Sequence, residues 1–366
     1  MAAKPGYALL ALALLLTACS SPLTSSQPRS ATPSATSTES PSPSPTATPA
    51  PLSLQQLFHP TGSVPNDPAH VRTMIATGDI IPARMVYVET LRQRDFLWAF
   101  RPTASYVRNA DITFINLEAP LISGCRASET GMTFCGDPKF VNGLLYDGVK
   151  VANLANNHSG NYGNAGVAAT AGLLQNNGIK TCGLGVPAIV NVRGLRFAFL
   201  GFNGVEVPHI DRAEMAREIH QARGLADVVV VQFHWGKEYE RLPVPAPGVA
   251  PDDPVQIGHL AIDDGADMVI GNHPHWFQAV EMYKGHLVTY AHGNFVFDQM
   301  WSEETREGVV GLYTFYDTHL VRVEWKPVRI YDWGQPRFMD PVSAQQLLAV
   351  MERASRQLAA KLGEPV

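Results

Sequence analysis

Residues 266–295 read ADMVIGNHPHWFQAVEMYKGHLVTYAHGNF, and the interpretation of the whole chain starts from this stretch. Its first apolar run, Asp267–Ile270, is typical of a short buried strand, and it is followed by GNHPH at residues 271–275. Glycine and proline at that point indicate an extended turn, which directs His273 and His275 to one side of the strand end. Neutral imidazole is a common ligand of divalent transition metals. The pattern favours a metal site, although neighbouring histidines are also frequent as ordinary core or surface residues.

The same arrangement recurs along the chain, because five apolar runs are each followed by a residue that can bind metal. These pairs are Val71–Thr77 with Asp79, Asp111–Ile115 with Asn116 and Glu118, Val149–Leu154 with Asn156, Asn157 and His158, Val228–Phe233 with His234, and Asp267–Ile270 with His273 and His275. In open α/β sheets, ligands bind beyond the carboxyl ends of the strands. We therefore predict that the five sets converge on one crevice and bind one or two divalent metals.

Each of these residues also has an ordinary structural explanation when it is considered alone. Asp79 could cap a helix, Asn157 could belong to a turn, and His234 could be a hydrogen-bonded core histidine. The metal interpretation rests on their joint occurrence at successive strand ends.

The spacing of the apolar runs predicts a layered α/β domain with a largely parallel sheet. Two further strands are predicted at Phe197–Gly201 and His286–His292, and helices at Ala165–Asn176, Asp211–Arg223 and Pro254–Asp264. After Gly308, the pattern predicts antiparallel strands at Val309–Tyr316 and Leu320–Tyr331, and an amphipathic helix at Ala344–Leu362.

Composition argues against a nucleic-acid-binding role. The chain has 366 residues, of which 45% are hydrophobic and 17% charged, with a formal net charge of −5. This length is sufficient for one large domain or two small ones. Because the chain lacks the basic field that attracts nucleic acid, we expect no nucleic-acid partner.

The beginning of the chain is typical of an export signal. Lys4 precedes an apolar run, Leu9–Leu16, that is too short to span a bilayer. The residues Leu16-Thr17-Ala18-Cys19 resemble a bacterial lipobox, which implies that Cys19 is lipidated; an uncleaved anchor and a plain secretion signal are the alternatives. We expect an extracytoplasmic protein that is held at the cell membrane only by a lipid anchor.

These observations divide the chain into four predicted parts. Residues 1–19 are a lipoprotein signal peptide, and residues 20–53, rich in Ser, Thr and Pro, form a disordered stalk because they have little apolar surface to bury. Residues 54–335 form the folded domain, and residues 336–366 form a C-terminal helical extension.

Six short motifs, in order, resemble the CapA family of bacterial capsule or poly-γ-glutamate biosynthesis proteins, which are related to calcineurin-like metallophosphoesterases. They are GDIIPAR (78–84), NLE (116–118), ANNHS (155–159), HWGKEY (234–239), GNHPH (271–275) and GNFVFD (293–298). The resemblance covers about residues 70 to 320. It implies a four-layer α/β/β/α sandwich with a metal centre at the strand ends.

The resemblance also implies roles for individual residues. The implied ligands of one or two Mn, Zn or Fe ions are Asp79 and His275 on one ion, Asn157, His234 and His273 on the other, and Glu118 as the bridge. His158 is implied to contact a substrate phosphate or to act as general acid. The register allows Asn156 in place of Asn157.

Two positions depart from the family pattern. Ile81 replaces a histidine that usually ligates metal, which makes a single-metal centre an alternative, and Asn161 replaces an aspartate beside the site. Arg84 and Lys237 are candidates for binding substrate anions, although either could be a surface charge.

The cysteines suggest one cross-link. Cys125 and Cys135 lie close in sequence within a glycine-containing insertion, and an exported protein could pair them in a disulfide. Cys182 is expected to be a buried free thiol.

The resulting functional hypothesis is a surface lipoprotein that acts in the synthesis, anchoring or remodelling of capsule or poly-γ-glutamate, through a metal-dependent phosphoesterase-type site. The expected partners are an anionic surface polymer or a phosphoester substrate, and a membrane polymer synthase. The alternative is a non-catalytic component that binds the polymer or the synthase and keeps the metal site for structural reasons.

Overall fold

The computed structural model describes residues 49–64 and 67–364. The predicted signal peptide with Cys19, and the predicted stalk as far as residue 48, lie outside the described residues and remain predictions. Within the described ranges, no helix is both long and apolar enough to cross a bilayer.

The secondary structure alternates between strands and helices through most of the described chain. The helices are α1 Leu54–Phe58, α2 Met85–Gln93, α3 Ala104–Val107, α4 Val141–Tyr146, α5 Gly163–Asn176, α6 Arg212–Leu225, α7 Pro254–Asp263, α8 Glu303–Arg306 and α9 Pro341–Leu362. The strands are β1 Val71–Ile80, β2 Ile112–Leu117, β3 Val149–Asn153, β4 Lys180–Cys182, β5 Ala188–Val192, β6 Leu195–Asn203, β7 Val228–His234, β8 Met268–Asn272, β9 Val280–Tyr283, β10 His286–Thr289, β11 Asn294–Val296, β12 Glu307–Tyr316, β13 His319–Tyr331 and β14 Gln335–Phe338.

An aspartate precedes the first residue of each of three helices, α6, α7 and α9. Asp211, Asp253 and Asp340 precede α6, α7 and α9, and each accepts hydrogen bonds from backbone N–H groups of the first helical turn. These N–H groups have no partner inside a helix, so an aspartate at this position stabilises the helix start. Proline follows the aspartate in α7 and α9, where its fixed φ suits the first turn.

The strands form two mixed sheets. The first has the order β14-β13-β12-β1-β2-β3-β4, and β11 pairs with the end of β1. In this sheet β1 to β4 are parallel, whereas β12, β13 and β14 add antiparallel neighbours. The second has the order β5-β6-β7-β8-β10-β9, with parallel central strands and antiparallel edges.

The layers follow from three hydrophobic cores. The core between the sheets joins residues of both, and Phe114 of β2 meets Phe199 of β6 with ring centroids 4.7 Å apart. A second core lies between the first sheet and helices α2 to α5, and a third between the second sheet and helices α6 and α7. Each buried large apolar side chain contributes about 1.5–3 kcal/mol. The chain therefore has the α/β/β/α sandwich that the sequence predicted.

Helix α9 closes one side of the sandwich. Leu347 and Met351 enter the core between the sheets, whereas Leu358 joins the core outside the second sheet. The apolar stripe of this helix was predicted from residue 344, and the helix begins three residues earlier because Asp340 and Pro341 form its first turn.

The antiparallel strands predicted after Gly308 are present, and they add to the first sheet beside β1. One prediction about the strands was wrong. The predicted strand His286–His292 ends at Thr289. Beyond it the chain crosses to the first sheet, where Asn294 pairs with Asp79, and Gly293 with φ 75° makes the turn.

Candidate metal centre

The predicted ligands lie at or just beyond the carboxyl ends of neighbouring parallel strands. Asp79 is the second-to-last residue of β1, Glu118 follows β2, and His234 is the last residue of β7. Asn157 lies in the turn after β3 and His273 in the turn after β8. The topology thus brings residues that are far apart in sequence to one edge of the sandwich, where the two sheets meet.

Glu118, His234 and His273 form one group of potential ligands. All three side chains are buried, and one ligand atom from each lies within 4.8 Å of the other two. His234 Nε2 is 3.4 Å from Glu118 Oε1 and 3.0 Å from Asn157 Oδ1. These four side chains, which include the predicted amide ligand, all face the same point.

His273 supplies the clearest test of whether this group suits a metal ion. Both of its ring nitrogens are buried and have no hydrogen-bond partner among the described residues. Burial and the neighbouring imidazoles of His234 and His275 hold the pKa of His273 well below its usual value of 6.5. A buried, unprotonated imidazole without a partner is costly unless its lone pair is used. With a carboxylate and a second imidazole beside it, the group fits a borderline divalent ion such as zinc or manganese.

Asp79 and His275 lie next to this group. His275 Nδ1 is 3.6 Å from Asp79 Oδ2 and 2.9 Å from Asn294 Oδ1. Burial alone would lower the pKa of His275, but hydrogen bonding to Asp79 and the charge of Glu118 raise it to about 9. Burial would raise the pKa of Asp79, but the interactions with His275 and His234 outweigh this effect, so the pKa of Asp79 is lowered.

Two asparagines hold the Asp79 carboxylate in place. Asn116 Nδ2 and Asn272 Nδ2 donate to Asp79 Oδ1 over 2.8 Å and 2.7 Å. Asn116 Nδ2 also lies 3.4 Å from Glu118 Oε2. Asn272 therefore positions a predicted ligand through its amide.

Glu238 is a candidate ligand that the sequence analysis did not identify. It offers a carboxylate oxygen to a group with His273 and His275, again with ligand atoms within 4.8 Å, and its Oε1 is 3.9 Å from His275 Nε2. The residue lies inside the HWGKEY motif, four positions after His234, so the motif marked the segment but not the residue.

The position of the missing histidine is apolar. Ile81 is fully buried in a small cluster with Ala83, Ala119, Phe134 and Phe297. Ile81 offers no ligand atom beside Asp79, and the other members of its cluster are also apolar. The donor set favours one well-coordinated ion beside a less complete second position.

His158 is held by two contacts. Its ring stacks on Phe134 with centroids 4.0 Å apart, and its Nδ1 is 3.1 Å from Asn161 Oδ1. The same amide oxygen accepts a hydrogen bond from the Phe134 N–H, over 2.6 Å. If Nδ1 carries the proton, Nε2 is the nitrogen free to exchange a proton with a bound molecule.

The sequence did not decide whether Asn156 or Asn157 is the predicted ligand. In the structure, Asn157 is the one that contacts His234. Asn156 instead donates from Nδ2 to Asn116 Oδ1 and to the Leu117 carbonyl, and its Oδ1 accepts from Ser159 N–H. Asn156 is therefore part of the turn scaffold.

The candidate centre opens into a cavity of about 350 Å³. Glu118, Asn157, His158, His273 and His275 line it, together with Arg84 and a rim that includes Tyr239 and Trp301. Arg84 contacts Asp298 in a buried ion pair and lies over the Phe297 ring. Among the described lining residues it is the one guanidinium or ammonium group, facing several carboxylates.

Lys237 is not brought to this cavity. Its Nζ pairs with Glu240 Oε1 at 2.7 Å, and about half of the side chain (52%) is exposed.

The disulfide between Cys125 and Cys135 is present, and Cys182 is a buried free thiol. Because Cys135 follows Phe134 directly, the disulfide restrains the loop that stacks on His158.

Strained backbone concentrates around the cavity. Arg84, Glu206, Tyr239, His273 and His275 all line it, and all have positive φ values, which non-glycine residues rarely adopt. Such conformations cost about 1–3 kcal/mol each and persist where the surroundings enforce them, commonly at functional sites. The two histidines of the GNHPH turn thus face the cavity at an energetic cost to the fold.

Comparison with known proteins agrees with the motif resemblance. Residues 73–299, more than half of the chain, match the family described as bacterial capsule synthesis protein PGA_cap. The chain belongs to this family. All of the predicted ligands and His158 lie within the matched range.

Two relatives carry CapA names. The capsule biosynthesis protein CapA of Bacillus anthracis is 29% identical over 72% of this chain and 69% of its own length. The PGA biosynthesis protein CapA of Bacillus subtilis is 32% identical over 50% of this chain and 51% of its own length, so that alignment spans about half of the relative.

Similarity to solved structures is limited. A hypothetical protein from Thermus thermophilus aligns with 72% of this chain and 100% of its own, at 14% identity and a TM-score of 0.47. Purple acid phosphatase PPD1 from yellow lupin aligns with 78% of this chain and 56% of its own, at 10% identity and a TM-score of 0.34.

Proposed function

We propose that this PGA_cap family protein is a metal-dependent hydrolase that cleaves a phosphoester or a related bond during the synthesis, anchoring or remodelling of capsule or poly-γ-glutamate. The observation that carries the proposal is the buried group Glu118, His234 and His273, in which both His273 nitrogens lack a partner among the described residues. This group opens, beside His158, into a cavity large enough for a small substrate segment.

Glu118, Asn157, His234 and His273 are the residues that would hold the better-coordinated ion. Asp79, His275 and Glu238 border the second position, and the apolar surroundings of Ile81 leave that position with fewer ligands. When bound, divalent ions of this kind supply Lewis-acid polarisation of a phosphoryl oxygen and a lowered pKa for bound water.

His158 would act on the leaving group. Its Nδ1 is held by Asn161, so Nε2 is the nitrogen that donates a proton to a departing oxygen. The stack on Phe134 fixes the plane of the ring and keeps water from one of its faces. This arrangement is what a general acid requires, because the proton must be aimed at one atom.

Arg84 would position an anionic group of the substrate. Asp298 already holds the guanidinium through Nε and Nη2, Nη1 lies 3.4 Å from the Gly131 carbonyl oxygen, and the side chain lines the cavity. Since carboxylates predominate around the cavity, an anionic substrate is attracted only when cations occupy the centre. Metal binding and substrate binding are therefore expected to be linked.

A non-catalytic role has one observation in its favour. Ile81 removes a usual ligand and replaces it with an apolar cluster, which is compatible with a metal site that serves only the structure. In that case the protein would bind the surface polymer or a membrane synthase without turnover. Retained metal with no hydrolysis of any substrate tested would support this role.

We also propose that Cys19 anchors the protein outside the cytoplasm through a lipid. Substitution of Cys19 by Ser should prevent incorporation of labelled fatty acid and release the protein from the membrane fraction. A membrane-bound Cys19→Ser variant would contradict the anchor.

The decisive experiment for the enzyme combines metal analysis with a substrate screen. The untagged full chain, in detergent, is equilibrated with manganese, zinc or iron, and its metal content is compared with those of Glu118→Ala and His273→Ala. Both variants should lose metal, and the wild type should hydrolyse a phosphoester or release polymer from a phosphoester-linked carrier.

Three controls separate the explanations. His158→Ala should keep the metal and lose activity by about 10²–10⁴-fold, the range expected for a general acid. Lys237→Ala, on the surface and paired with Glu240, should change neither quantity. A wild-type protein that binds none of the three metals would overturn the proposed hydrolase.

A further inference from the structure

A second group of metal-binding side chains lies outside the candidate centre. It consists of His259 on α7, Glu281 on the edge strand β9, and Glu364, which follows the end of α9; we call it the C-terminal cluster. One ligand atom from each residue lies within 4.8 Å of the other two. None of the three residues belongs to the predicted catalytic set.

Glu281 is the centre of this cluster. Its side chain is 1% exposed, and its Oε1 accepts hydrogen bonds from Tyr290 OH at 2.9 Å and from His259 Nε2 at 2.5 Å. Its other oxygen, Oε2, is buried and has no partner among the described residues. An unpartnered carboxylate oxygen in this position costs free energy unless a cation or another donor meets it.

Glu364 adds a second carboxylate to the same place. One of its carboxylate oxygens lies within 4.8 Å of a ligand atom of His259 and of Glu281, so two carboxylates share this place with one imidazole. Two carboxylates that face one another without a full counter-charge form a site that favours a divalent cation. A simple hydrogen-bonded core would account for Oε1 of Glu281, but not for Oε2 or for the approach of Glu364.

The histidine is oriented for a ligand role. The His259 ring stacks on Tyr283 with centroids 3.6 Å apart and the planes only 6° from parallel. This contact fixes the ring, so Nε2 stays directed at Glu281. Loss of the proton from Nε2 would turn the present hydrogen bond into a metal–nitrogen contact, as occurs when histidine ligates zinc.

The cluster is accessible. Glu281 and Glu364 line a cavity of about 400 Å³, together with residues 51–55 and the turn at Lys284. Lys284 does not neutralise the carboxylates, because its Nζ pairs with Asp263. The cavity leaves room for water to complete the coordination of an ion held by three protein ligands.

We propose that His259, Glu281 and Glu364 bind a divalent cation of the zinc class, and that this ion ties the end of α9 to the edge of the second sheet. One imidazole and two carboxylates are a donor set suited to zinc or manganese. The ion would be structural, since it links three separate elements at the point where the last helix ends.

The test uses a background in which the candidate catalytic centre is disabled. The untagged full chain carrying Glu118→Ala and His273→Ala is equilibrated with Zn²⁺, freed of loose metal, and analysed for zinc. About one zinc per chain should remain, and Zn²⁺ should raise the melting temperature, because a ligand that binds only the folded state stabilises it.

Adding Glu364→Gln to this background should remove both the zinc and the Zn²⁺-dependent shift. Glu364 lies at the end of the described chain, so this variant should fold even if Glu281→Gln does not. Glu129→Gln is the matched control, because its side chain is 67% exposed and it lies outside the cluster. It should leave both readouts unchanged.

Two results would overturn the proposal. One is a background protein that melts cooperatively and retains no zinc. The other is retained zinc that survives both Glu364→Gln and His259→Gln, since the ion would then be bound elsewhere.

Discussion

His292 should make the protein sensitive to acid, and its effect can be separated from those of the metal ligands. The side chain is fully buried behind Asp79, its Nε2 is 2.7 Å from Tyr313 OH, and its Nδ1 has no partner in the described part of the chain. Burial lowers the pKa of His292 from 6.5 to about 4, although the charge of Asp79 acts in the opposite direction. The folded protein therefore holds this imidazole neutral.

The sign and size of the effect follow from the two pKa values. Above pH 6.5 the imidazole is neutral in the folded and unfolded states, and its titration costs nothing. Between pH 6.5 and about 4, His292 binds a proton in the unfolded chain but not in the folded protein, so the free energy of unfolding falls as the pH falls. At pH 4, the proton linkage of this one residue amounts to about 3 kcal/mol.

The assay is urea unfolding of the metal-free full chain, followed by tryptophan fluorescence between about pH 7 and pH 4. Wild type is compared with His292→Gln, whose amide can still contact Tyr313. Other groups near the centre, among them His273 and Asp79, titrate in both proteins and cancel in the difference. The variant should lose about 3 kcal/mol less than wild type on acidification. Parallel curves for the two proteins would refute the reasoning, because they would mean that His292 is not held neutral by burial.

Three further outcomes are expected. Gly271→Ala should lower the free energy of unfolding by about 3 kcal/mol or more and reduce bound metal, because the new Cβ would lie 1.9 Å from a backbone carbonyl oxygen. Thermal melting measures this loss, and Gly172→Ala is the control because there is open space around Gly172. Metal affinity should rise by up to about tenfold per pH unit, because His275, with its pKa of about 9, must lose a proton to bind metal. In chelator competition, His275→Gln should reduce this dependence of metal affinity on pH. Asn161→Ala should lower turnover by about tenfold or more while bound metal is retained, because Nδ1 of His158 loses the partner that orients the ring; unchanged turnover would argue against His158 as the acid.

The sequence and its family resemblance were sufficient to predict the layers of the fold and the antiparallel strands after Gly308, but not the order in which the strands pair. The run Val228–Val231 is apolar throughout and the whole strand is buried, which is typical of a parallel strand buried on both faces. The pairing of β12 with β1 depends on contacts between residues more than two hundred positions apart. No local pattern encodes such a contact, so the position of the predicted antiparallel strands beside β1 appeared only in the structure.

The residues of the candidate centre were likewise predicted from the sequence only in part. Polar residues at strand ends are visible in a sequence because the apolar run stops there, and this identified Asp79, Glu118 and His234. Glu238 lies in an irregular loop after β7, four residues beyond the strand end, and only the turn of that loop brings it to His275. A carboxylate in such a loop has no periodic pattern to distinguish it from a surface charge.

The identity of residue 81 bears on the chemistry more than any other departure from the family pattern. A histidine there would add a nitrogen ligand beside Asp79, whereas Ile81 extends an apolar cluster that includes Phe134, the ring on which His158 stacks. In the proposed mechanism, Ile81 would therefore leave the second metal position without a nitrogen ligand and would also support the ring against which His158 packs. Because both effects would arise from one side chain, metal ligation and the positioning of His158 would be coupled. A centre with one well-held ion and a rigid acid is the arrangement that the proposed function favours.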